Sequence, residues 1–413
     1  MTQLPALIER VAPRDPDRDS APVVRIQKMI FAEAASLGAS DVHIEPGRTG
    51  TRVRYRVNGL LQQTTELPRW IHDNLAVRIK VLANLDVADR RVPQDGHISA
   101  EVTGGDDFRV STVPTRWGEK VVIRLLKRAR AAMSLTELGV PRAVEEKLQA
   151  WIHRSQGILF VVGPTGSGKT TTLYALIHEL RNEPLNIVTI EDPIEYEIER
   201  ITQIQINEKS GLTFARVLRA ILRQDPDVIL VGEIRDAETA KTAVHAAMTG
   251  HLVLSTLHAT DTVSAISRLG ELGIDRSLAA GVILGVIAQR LVRLNCERCS
   301  EPEFPRAVFL DCLGISHQDQ GRLRHSTGCA ECHFTGTHGR AGLYELLEVH
   351  GRIRDLCIGS LPTTAGGEEH GSDQTVARNR RLRVRRVRSD AEFETTRRHR
   401  GDSGDLRRQF THP

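Results

Sequence analysis

The residues whose spacing is most specific for chemistry form the loop Gly163-Pro-Thr-Gly-Ser-Gly-Lys169-Thr170, which fits the pattern G-x-x-x-x-G-K-[ST]. In this pattern, glycines let backbone N–H groups curl around phosphate oxygens, and the following helix adds the positive end of its dipole. Lys169 can reach the terminal phosphates of a nucleotide, and the Thr170 hydroxyl can bind Mg²⁺. A Gly-rich turn before a structural helix is the alternative. We predict that ATP contacts the whole loop: Gly163, Pro164, Thr165, Gly166, Ser167, Gly168, Lys169, Thr170 and Thr171.

Two carboxylates at the ends of apolar strands are candidates for activating water. Glu233 follows the strand 227–231 at its carboxyl end, where parallel sheets bind ligands. It can orient or deprotonate water, or hold Mg²⁺ through water. Glu191 begins a run of three carboxylates, which repel one another unless a cation such as Mg·ATP lies among them. We predict both as catalytic and leave the choice of water activator open; a solvated strand end and a capping cluster are the structural alternatives.

His251 and His258 stand at the two ends of a short apolar strand. Most lone histidines in proteins have structural roles. A strand that neighbours the nucleotide could instead use its histidines to sense the γ-phosphate. We therefore include His258 among the predicted catalytic residues.

Four cysteines in two Cys-x-x-Cys pairs predict a metal site. Two thiolate pairs can complete a tetrahedron around Zn²⁺, and a site with four cysteines has no open position, so the zinc would be structural. Four unligated thiols are the alternative, and we expect the other two cysteines, Cys312 and Cys357, to be unpaired. The predicted zinc ligands are Cys296, Cys299, Cys329 and Cys332.

The elements that must position these residues fall into two domains. Apolar strands at 158–162, 186–190, 227–231 and 252–255 alternate with helical segments, which indicates an α/β domain with a parallel sheet covered on both faces. Before it, one helical segment and several alternating strands indicate a small α+β domain. The predicted organisation is a flexible lead-in at 1–20, an α+β domain at 21–127, a linker at 128–137, an α/β domain at 138–357 that includes a zinc module at 292–340, and an Arg-rich tail at 358–413.

The strand 51–57 carries three arginines on one face. Its period of two puts Arg52, Arg54 and Arg56 on one side and Val53, Tyr55 and Val57 on the other. Like charges on one face of a strand are most often simply solvated. An interface with an anionic partner is the functional alternative.

Composition excludes several classes of protein. Charged residues make up 26% of the chain, and its longest apolar run, 278–292, is too short to span a membrane and is interrupted by Gln289 and Arg290. The lead-in is charged where a signal peptide would be apolar. We expect a cytoplasmic protein whose membrane association is indirect. The net charge of +4 lies entirely in residues 361–413, so the neutral remainder gives no reason to expect nucleic-acid binding.

Over residues 21–357 the chain resembles the type II secretion and type IV pilus assembly ATPases. The resemblance rests on the phosphate loop and on further motifs: Ala39-Ser-Asp-Val-His-Ile-Glu-Pro46, Arg54-Tyr-Arg56, Arg90-Arg-Val-Pro-Gln-Asp-Gly96, Arg109-Val-Ser-Thr112, Ile190-Glu-Asp-Pro-Ile-Glu-Tyr196, Leu222-Arg-Gln-Asp-Pro-Asp227, Gly232-Glu-Ile-Arg-Asp236 and Thr249 to His258. It implies a RecA-like P-loop ATPase domain behind a PAS-like domain. It also implies a homohexamer that acts on an inner-membrane platform protein of a secretion or pilus system.

The same resemblance makes Arg54, Arg56 and Arg109 candidates for binding ATP in the manner of an arginine finger. The zinc module favours secretion or pilus extension, because retraction motors of this family generally lack it. His97 stands where the family usually has arginine, which weakens one cationic contact.

The two ends of the chain depart from the family. Relatives usually carry a further N-terminal docking domain, where this chain has about 20 residues. Beyond residue 358 the sequence becomes rich in arginine and loses its apolar periodicity. We hypothesise a frameshift that leaves a tail without a fold; a basic arm that binds acidic lipid or nucleic acid is the rival.

Two other functions remain open from the sequence. One is a nucleic-acid-handling P-loop ATPase that binds through the zinc module and tail. The other is an impaired or structural paralogue of the secretion ATPases. His97 and the unusual tail are consistent with this alternative.

Overall fold

A computed structural model describes residues 20–103, 105–126, 133–304, 310, 323–358 and 385–388. Most of the lead-in and of the tail, the linker residues 128–132 and Cys312 lie outside the described residues, so the predictions made for them stay predictions. None of the helices in these ranges is long and apolar enough to cross a membrane.

The N-terminal domain is an α+β unit, as predicted. Its helices are α1 (Ser20–Ser36), α2 (Ile71–Leu82) and the short α3 (Ala100–Thr103). Its strands are β1 (Asp41–Pro46), β2 (Gly50–Val57), β3 (Leu60–Pro68), β4 (Gln94–Ile98), β5 (Asp107–Thr115) and β6 (Gly118–Leu126). The strands form one antiparallel sheet in the order β3-β2-β1-β6-β5-β4.

Helices α1 and α2 cover one face of this sheet. The alternation predicted for β2 is confirmed, because Val53, Tyr55 and Val57 are buried beneath the helices. The Tyr55 hydroxyl donates a hydrogen bond to Glu33 of α1 at 3.0 Å. The arginines of β2 therefore lie on the opposite, helix-free face of the sheet.

The C-terminal domain is built on a second, eight-stranded sheet. Its strands are β7 (Gly157–Val162), β8 (Ile187–Glu191), β9 (Thr202–Gln205), β10 (Val228–Val231), β11 (Leu252–Leu257), β12 (Ile283–Asn295), β15 (Thr337–Glu348) and β16 (Arg385–Arg388). Between β12 and β15 lies a separate hairpin of β13 (Ser300–Pro302) and β14 (Arg324–Ser326). The helices are α4 (Arg142–Ile152), α5 (Lys169–Leu180), α6 (Phe214–Ile221), α7 (Ala237–Met248), α8 (Thr262–Glu271), α9 (Arg276–Val282) and α10 (Gly351–Ile358).

The strand order of this sheet is β16-β15-β12-β7-β11-β10-β8-β9, and the six strands from β12 to β9 run parallel. Strands β7, β8, β10 and β11 are buried along their whole length. Apolar clusters cover both faces of the sheet, so the prediction of a doubly covered parallel sheet is confirmed. Because parallel strands end at one edge, the loops after β7, β8, β10 and β11 come together there.

The antiparallel side of the sheet was not predicted. The apolar run 278–292 divides into the end of α9 and the first part of β12, because helix and strand periods are hard to distinguish in a short apolar segment. Strand β15 pairs with β12 on one side and with β16, from the Arg-rich tail, on the other. Four residues of the tail thus form a strand, and the hypothesis of a frameshifted tail stays a prediction.

A buried ion pair stabilises the N-terminal domain. Lys80 of α2 is fully buried, and its Nζ donates to Glu119 Oε1 at 2.9 Å and to the Asp89 carbonyl oxygen at 2.8 Å. Glu119 is also buried, and its carbonyl oxygen bonds His72 Nε2 at 2.9 Å. Removing one charge would leave the other without compensation in the interior.

We expect Lys80→Met to lower the free energy of unfolding of the N-terminal domain by about 3–5 kcal/mol, because Glu119 would stay buried and unpaired. Chemical denaturation followed by circular dichroism measures the change. The matched control is Arg69→Met, which breaks an exposed ion pair with Asp73 in the same domain and should change stability by less than about 1 kcal/mol. Equal effects of the two substitutions would contradict this account.

Candidate functional site

The phosphate loop connects β7 directly to α5, as the sequence predicts. Gly163 has a φ of 147°, and a Cβ at this position would lie 2.3 Å from the carbonyl oxygen of Gln289 on β12. Gly168, in the left-handed region with a φ of 88°, caps the start of α5. Both positions therefore require glycine, since any side chain would be strained or would clash.

The ammonium group of Lys169 is bound by backbone groups of the loop itself. Lys169 Nζ donates to the carbonyl oxygens of Gly163 and Pro164, at 3.0 Å each. Burial lowers the pKa of Lys169, and the negative charge of Glu233 opposes that shift. The buried Ser167 hydroxyl has no hydrogen-bond partner among the described residues. An anionic ligand would supply both groups with an acceptor, so the loop fits a polyphosphate.

Threonines follow the lysine along the first turn of α5. Thr170 is exposed and Thr171 half-buried, so the Thr170 hydroxyl is free to meet solvent or a hydrated cation. Thr172 is buried and points into the domain. The predicted magnesium ligand thus lies on the open side of the helix.

Glu233 lies in the loop after β10, close to the phosphate loop. Its carboxylate is 2.6 Å from Arg235 Nη2 and 3.4 Å from His258 Nε2. The turn that carries it is held to β11, because the Thr256 hydroxyl donates to the Gly232 carbonyl oxygen at 2.8 Å. The structure therefore brings the predicted residues Glu233, His258 and Lys169 to one edge of the sheet.

Glu191 has a different environment at the end of β8. Its Oε1 accepts hydrogen bonds from the Thr189 hydroxyl at 2.6 Å and from Gln203 Nε2 at 3.1 Å, and its Oε2 accepts one from the Tyr174 hydroxyl of α5. Its carboxylate is buried. Both oxygens are thus bound to side chains of the domain, and Glu191 joins α5 to β8 and β9.

The two histidines of β11 lie at opposite edges of the sheet. His251 Nδ1 is 2.9 Å from the Ala246 carbonyl oxygen, so its ring caps the end of α7, away from the loop. His258 is more than half exposed beside Glu233. Of the two, only His258 is placed to meet a nucleotide.

The four predicted cysteine ligands form one cluster at the far end of β12 and the start of β15. Their sulfur atoms all lie within 4.8 Å of one another, and three pairs are 3.8 Å apart: Cys296–Cys329, Cys299–Cys332 and Cys329–Cys332. A tetrahedron with Zn–S bonds of about 2.3 Å has edges of about 3.8 Å, so the cluster fits zinc. Backbone N–H groups of Cys329 and Gly336 donate to the Cys332 sulfur at 3.2 Å each, as they would to a metal-bound thiolate.

Comparison with known proteins gives the family. The sequence profile of the family described as "Type II/IV secretion system protein" matches residues 16–391. The chain belongs to this family. It is 45% identical over 375 residues to the type II secretion system protein E of Pseudomonas aeruginosa, covering 90% of this chain and 72% of that relative. It is 42% identical over 359 residues to the type IV pilus assembly ATPase PilB of Thermus thermophilus, covering 86% of this chain and 40% of that relative.

Among solved structures, the pilus retraction motor PilT with bound ADP matches this secretion-family ATPase with a TM-score of 0.57. The two are 29% identical, and the match covers 80% of this chain and 85% of the PilT chain. The predicted family, RecA-like fold and ATPase class are therefore confirmed.

The arginines to which the family resemblance assigns ATP binding lie on the helix-free face of the N-terminal sheet. Arg54 Nη2 is 2.7 Å from Glu45 Oε1, and Arg56 Nε is 3.7 Å from Asp41 Oδ2. Arg109 differs, because its Nη2 donates to the Ile194 carbonyl oxygen of the C-terminal domain at 2.6 Å. The structure thus places Arg109 between the domains and pairs Arg54 and Arg56 with carboxylates of β1.

His97, which departs from the family pattern, lies on β4 at the same sheet. Its Nε2 is 3.6 Å from Asp107 Oδ1, and its side chain is about half exposed. It is held within the N-terminal domain.

Two residues near the loop were missed from the sequence. Tyr174 holds Glu191, and Gln289 of β12 accepts a hydrogen bond from the Thr172 hydroxyl at 2.7 Å. Gln289 did give a signal, since it is a polar residue inside an apolar run. From the sequence alone, however, this residue indicates only that the run is not a membrane span.

The ion pairs of Glu45 predict a dependence of stability on pH. Burial alone would raise the pKa of Glu45, but hydrogen bonds from Arg54 and Lys120 outweigh it and lower the pKa to about 2 from an ordinary 4.5. A depressed carboxylate pKa contributes stability above the unfolded value and loses it as the pH falls. The free-energy difference between the wild type and Glu45→Gln should therefore shrink between about pH 5 and about pH 2.

Denaturant titrations at stepped pH measure this difference. The control is Glu146→Gln, whose carboxylate is exposed and paired only with its helix neighbour Arg142. Its stability difference from the wild type should stay nearly constant over the same range. A constant difference for Glu45→Gln as well would contradict the assigned ion pairs.

Proposed function

We propose that this chain is a cytoplasmic motor that binds Mg·ATP at the phosphate loop and hydrolyses it to ADP and phosphate. The observation that carries the proposal is the convergence of Lys169 and Glu233 at the carboxyl edge of a parallel sheet. Lys169 would exchange its two carbonyl partners for the β- and γ-phosphate oxygens. Thr170 and the Glu233 carboxylate supply oxygen ligands of the kind that Mg²⁺ prefers, directly or through water.

We assign water activation to Glu233 and a positioning role to Glu191. A water activator needs a carboxylate oxygen that can face the substrate. Among the described residues, Glu233 is paired with two exposed side chains, Arg235 and His258, which a nucleotide can displace. Glu191, in contrast, is buried and bonded by three donors. His258 then stands beside the activated water and can respond to the presence of the γ-phosphate.

The arginines of the N-terminal domain would complete the site from the other side. Arg54 and Arg56 are paired with carboxylates here, and phosphate oxygens could replace those partners. Arg109 already contacts the loop that follows Glu191 and Asp192. We propose that the three arginines bind ATP between the domains, or between subunits of a homohexamer, and so couple hydrolysis to domain movement.

The physiological role we propose is to power type II protein secretion or type IV pilus assembly. The relatives from Pseudomonas aeruginosa and Thermus thermophilus carry these two names, and their identities to this chain are 45% and 42%. The partner would be an inner-membrane platform protein, and membrane association would be indirect. Deletion of the gene and assay of both secretion and piliation in the same strain separates the two roles.

Zinc is the metal we propose for the four-cysteine cluster. The sulfur separations match a tetrahedral site, and four thiolates leave no position for substrate, so the metal would be structural. It would tie the hairpin of β12 and β15 at its end.

We expect Glu233→Gln to reduce the rate of ATP hydrolysis by at least about a hundredfold while Mg·ATP still binds, because the amide cannot take a proton from water. Phosphate release measures the rate, and titration with a fluorescent ATP analogue measures binding. Glu197→Gln, which changes an exposed carboxylate after the same strand as Glu191, is the matched control and should retain the wild-type rate. A fully active Glu233→Gln enzyme would overturn the assignment, and unaltered Mg·ATP binding by Lys169→Ala would overturn the site itself.

We also expect Cys299→Ser to lose the bound zinc, which should be present at about one equivalent in the wild type. Metal analysis of the purified chain measures it. Without the metal, the segment between β12 and β15 should become more sensitive to protease. The control is Thr327→Ser, a nearby change in the same module that leaves all four thiols in place. Full zinc content in Cys299→Ser would exclude the cluster as the ligand set.

A further inference from the structure

Gln289 is a buried polar residue of β12 that has no role in the chemistry proposed above. The residue is only 3% exposed and lies in the interior of the domain, beside the phosphate loop. Strand β12 runs parallel to β7, with Ala288 opposite Val162, so Gln289 stands opposite the point where the loop begins. A buried amide at such a place needs hydrogen-bond partners to be tolerated.

The contacts of Gln289 are with the loop on two sides. Its Oε1 accepts a hydrogen bond from the Thr172 hydroxyl at 2.7 Å, inside the first turn of α5. Its Nε2 lies 2.9 Å from the point where a Cβ on Gly168 would stand, and its backbone carbonyl oxygen lies 2.3 Å from the same point on Gly163. One residue of β12 therefore packs against both the first and the last glycine of the loop.

The hydrogen bond to Thr172 fixes the start of α5 relative to β12. Lys169 and Thr170 lie three and two residues before Thr172, in the same first turn of this helix. A rotation or displacement of this turn would move the lysine ammonium and the threonine hydroxyl together. Small displacements of ligand groups reduce binding and rate strongly because their geometry must match the substrate.

We propose that Gln289 is a positioning residue that holds the phosphate loop in its binding geometry through Thr172. It does not touch the nucleotide; it acts by fixing α5 against β12. This inference rests on the proposed binding of Mg·ATP by the same loop and adds a residue from outside the loop to that site. Gln289 thereby links the nucleotide site to the strand that continues to Cys296 of the metal cluster.

The test compares two nearly isosteric variants of the full chain, Gln289→Met and Thr172→Val, each of which removes one side of the hydrogen bond. We expect each to raise the dissociation constant for Mg·ATP about tenfold, since a buried hydrogen bond is lost at the loop. If the two residues act through one hydrogen bond, the double variant should bind Mg·ATP no more weakly than whichever single variant has the higher dissociation constant. Thr172→Ser keeps the hydroxyl and should bind as the wild type does.

Thr262→Val is the matched control for stability. Its hydroxyl is also fully buried and donates to Glu345 Oε1 at 2.7 Å, but this bond joins α8 to β15 and not α5 to β12. It should lower the unfolding midpoint by an amount similar to Thr172→Val and leave the dissociation constant for Mg·ATP unchanged.

The outcomes separate this inference from the proposed function. If the wild type binds Mg·ATP, and Gln289→Met and Thr172→Val bind equally well with only a lower unfolding midpoint, Gln289 is merely structural and the inference is overturned. Additive losses in the double variant would overturn the route through Thr172. Absence of Mg·ATP binding by the wild type would overturn the proposed function together with this inference.

Discussion

The close approach of two backbones, the phosphate loop and β12, is the constraint on which the site depends. At Gly163 the carbonyl oxygen of β12 occupies space that any Cβ would need, so the loop can follow its path only as glycine. This path starts α5 directly at the loop and directs the N–H groups of the first turn toward a ligand. The strand order then places β11 beside β7 and β10 beside β11, and with them His258 and Glu233. The candidate catalytic residues therefore lie together at this edge because the strands end there and the glycines allow the chain to turn.

The two acidic strand ends show how similar residues take different roles in one fold. Glu191 is surrounded by donors from α5, β8 and β9, and its carboxylate serves as a buried junction between these elements. The Glu233 side chain is 15% exposed and is paired with the exposed side chains of Arg235 and His258, so exchange of these partners would free its oxygens. Burial and the number of donors, rather than residue type, separate the junction from the candidate base.

Much of the fold and part of the site were predictable from local patterns. Continuous apolar strands predicted the parallel sheet, alternation predicted the face of Arg54 and Arg56, and Cys-x-x-Cys spacing predicted a cluster that the sulfur separations fit. What escaped prediction depends on pairing between distant segments. The hydrogen bond from Thr172 to Gln289 joins residues 117 positions apart, and the one from Tyr174 to Glu191 joins a helix to a strand. The local hydrophobic periodicity of the sequence predicts neither bond. The antiparallel strands β15 and β16 escaped for the same reason.

The arginines of the N-terminal domain stand on strands of one continuous hydrogen-bonded sheet, β2 and β5, with β1 and β6 between them. The backbone positions of these arginines are therefore fixed relative to one another, while each side chain can exchange its partner separately. Through Arg109, the sheet is hydrogen-bonded to the Ile194 carbonyl oxygen of the C-terminal domain. A shift of one domain against the other would thus either break that hydrogen bond or displace all three backbone positions as one rigid set.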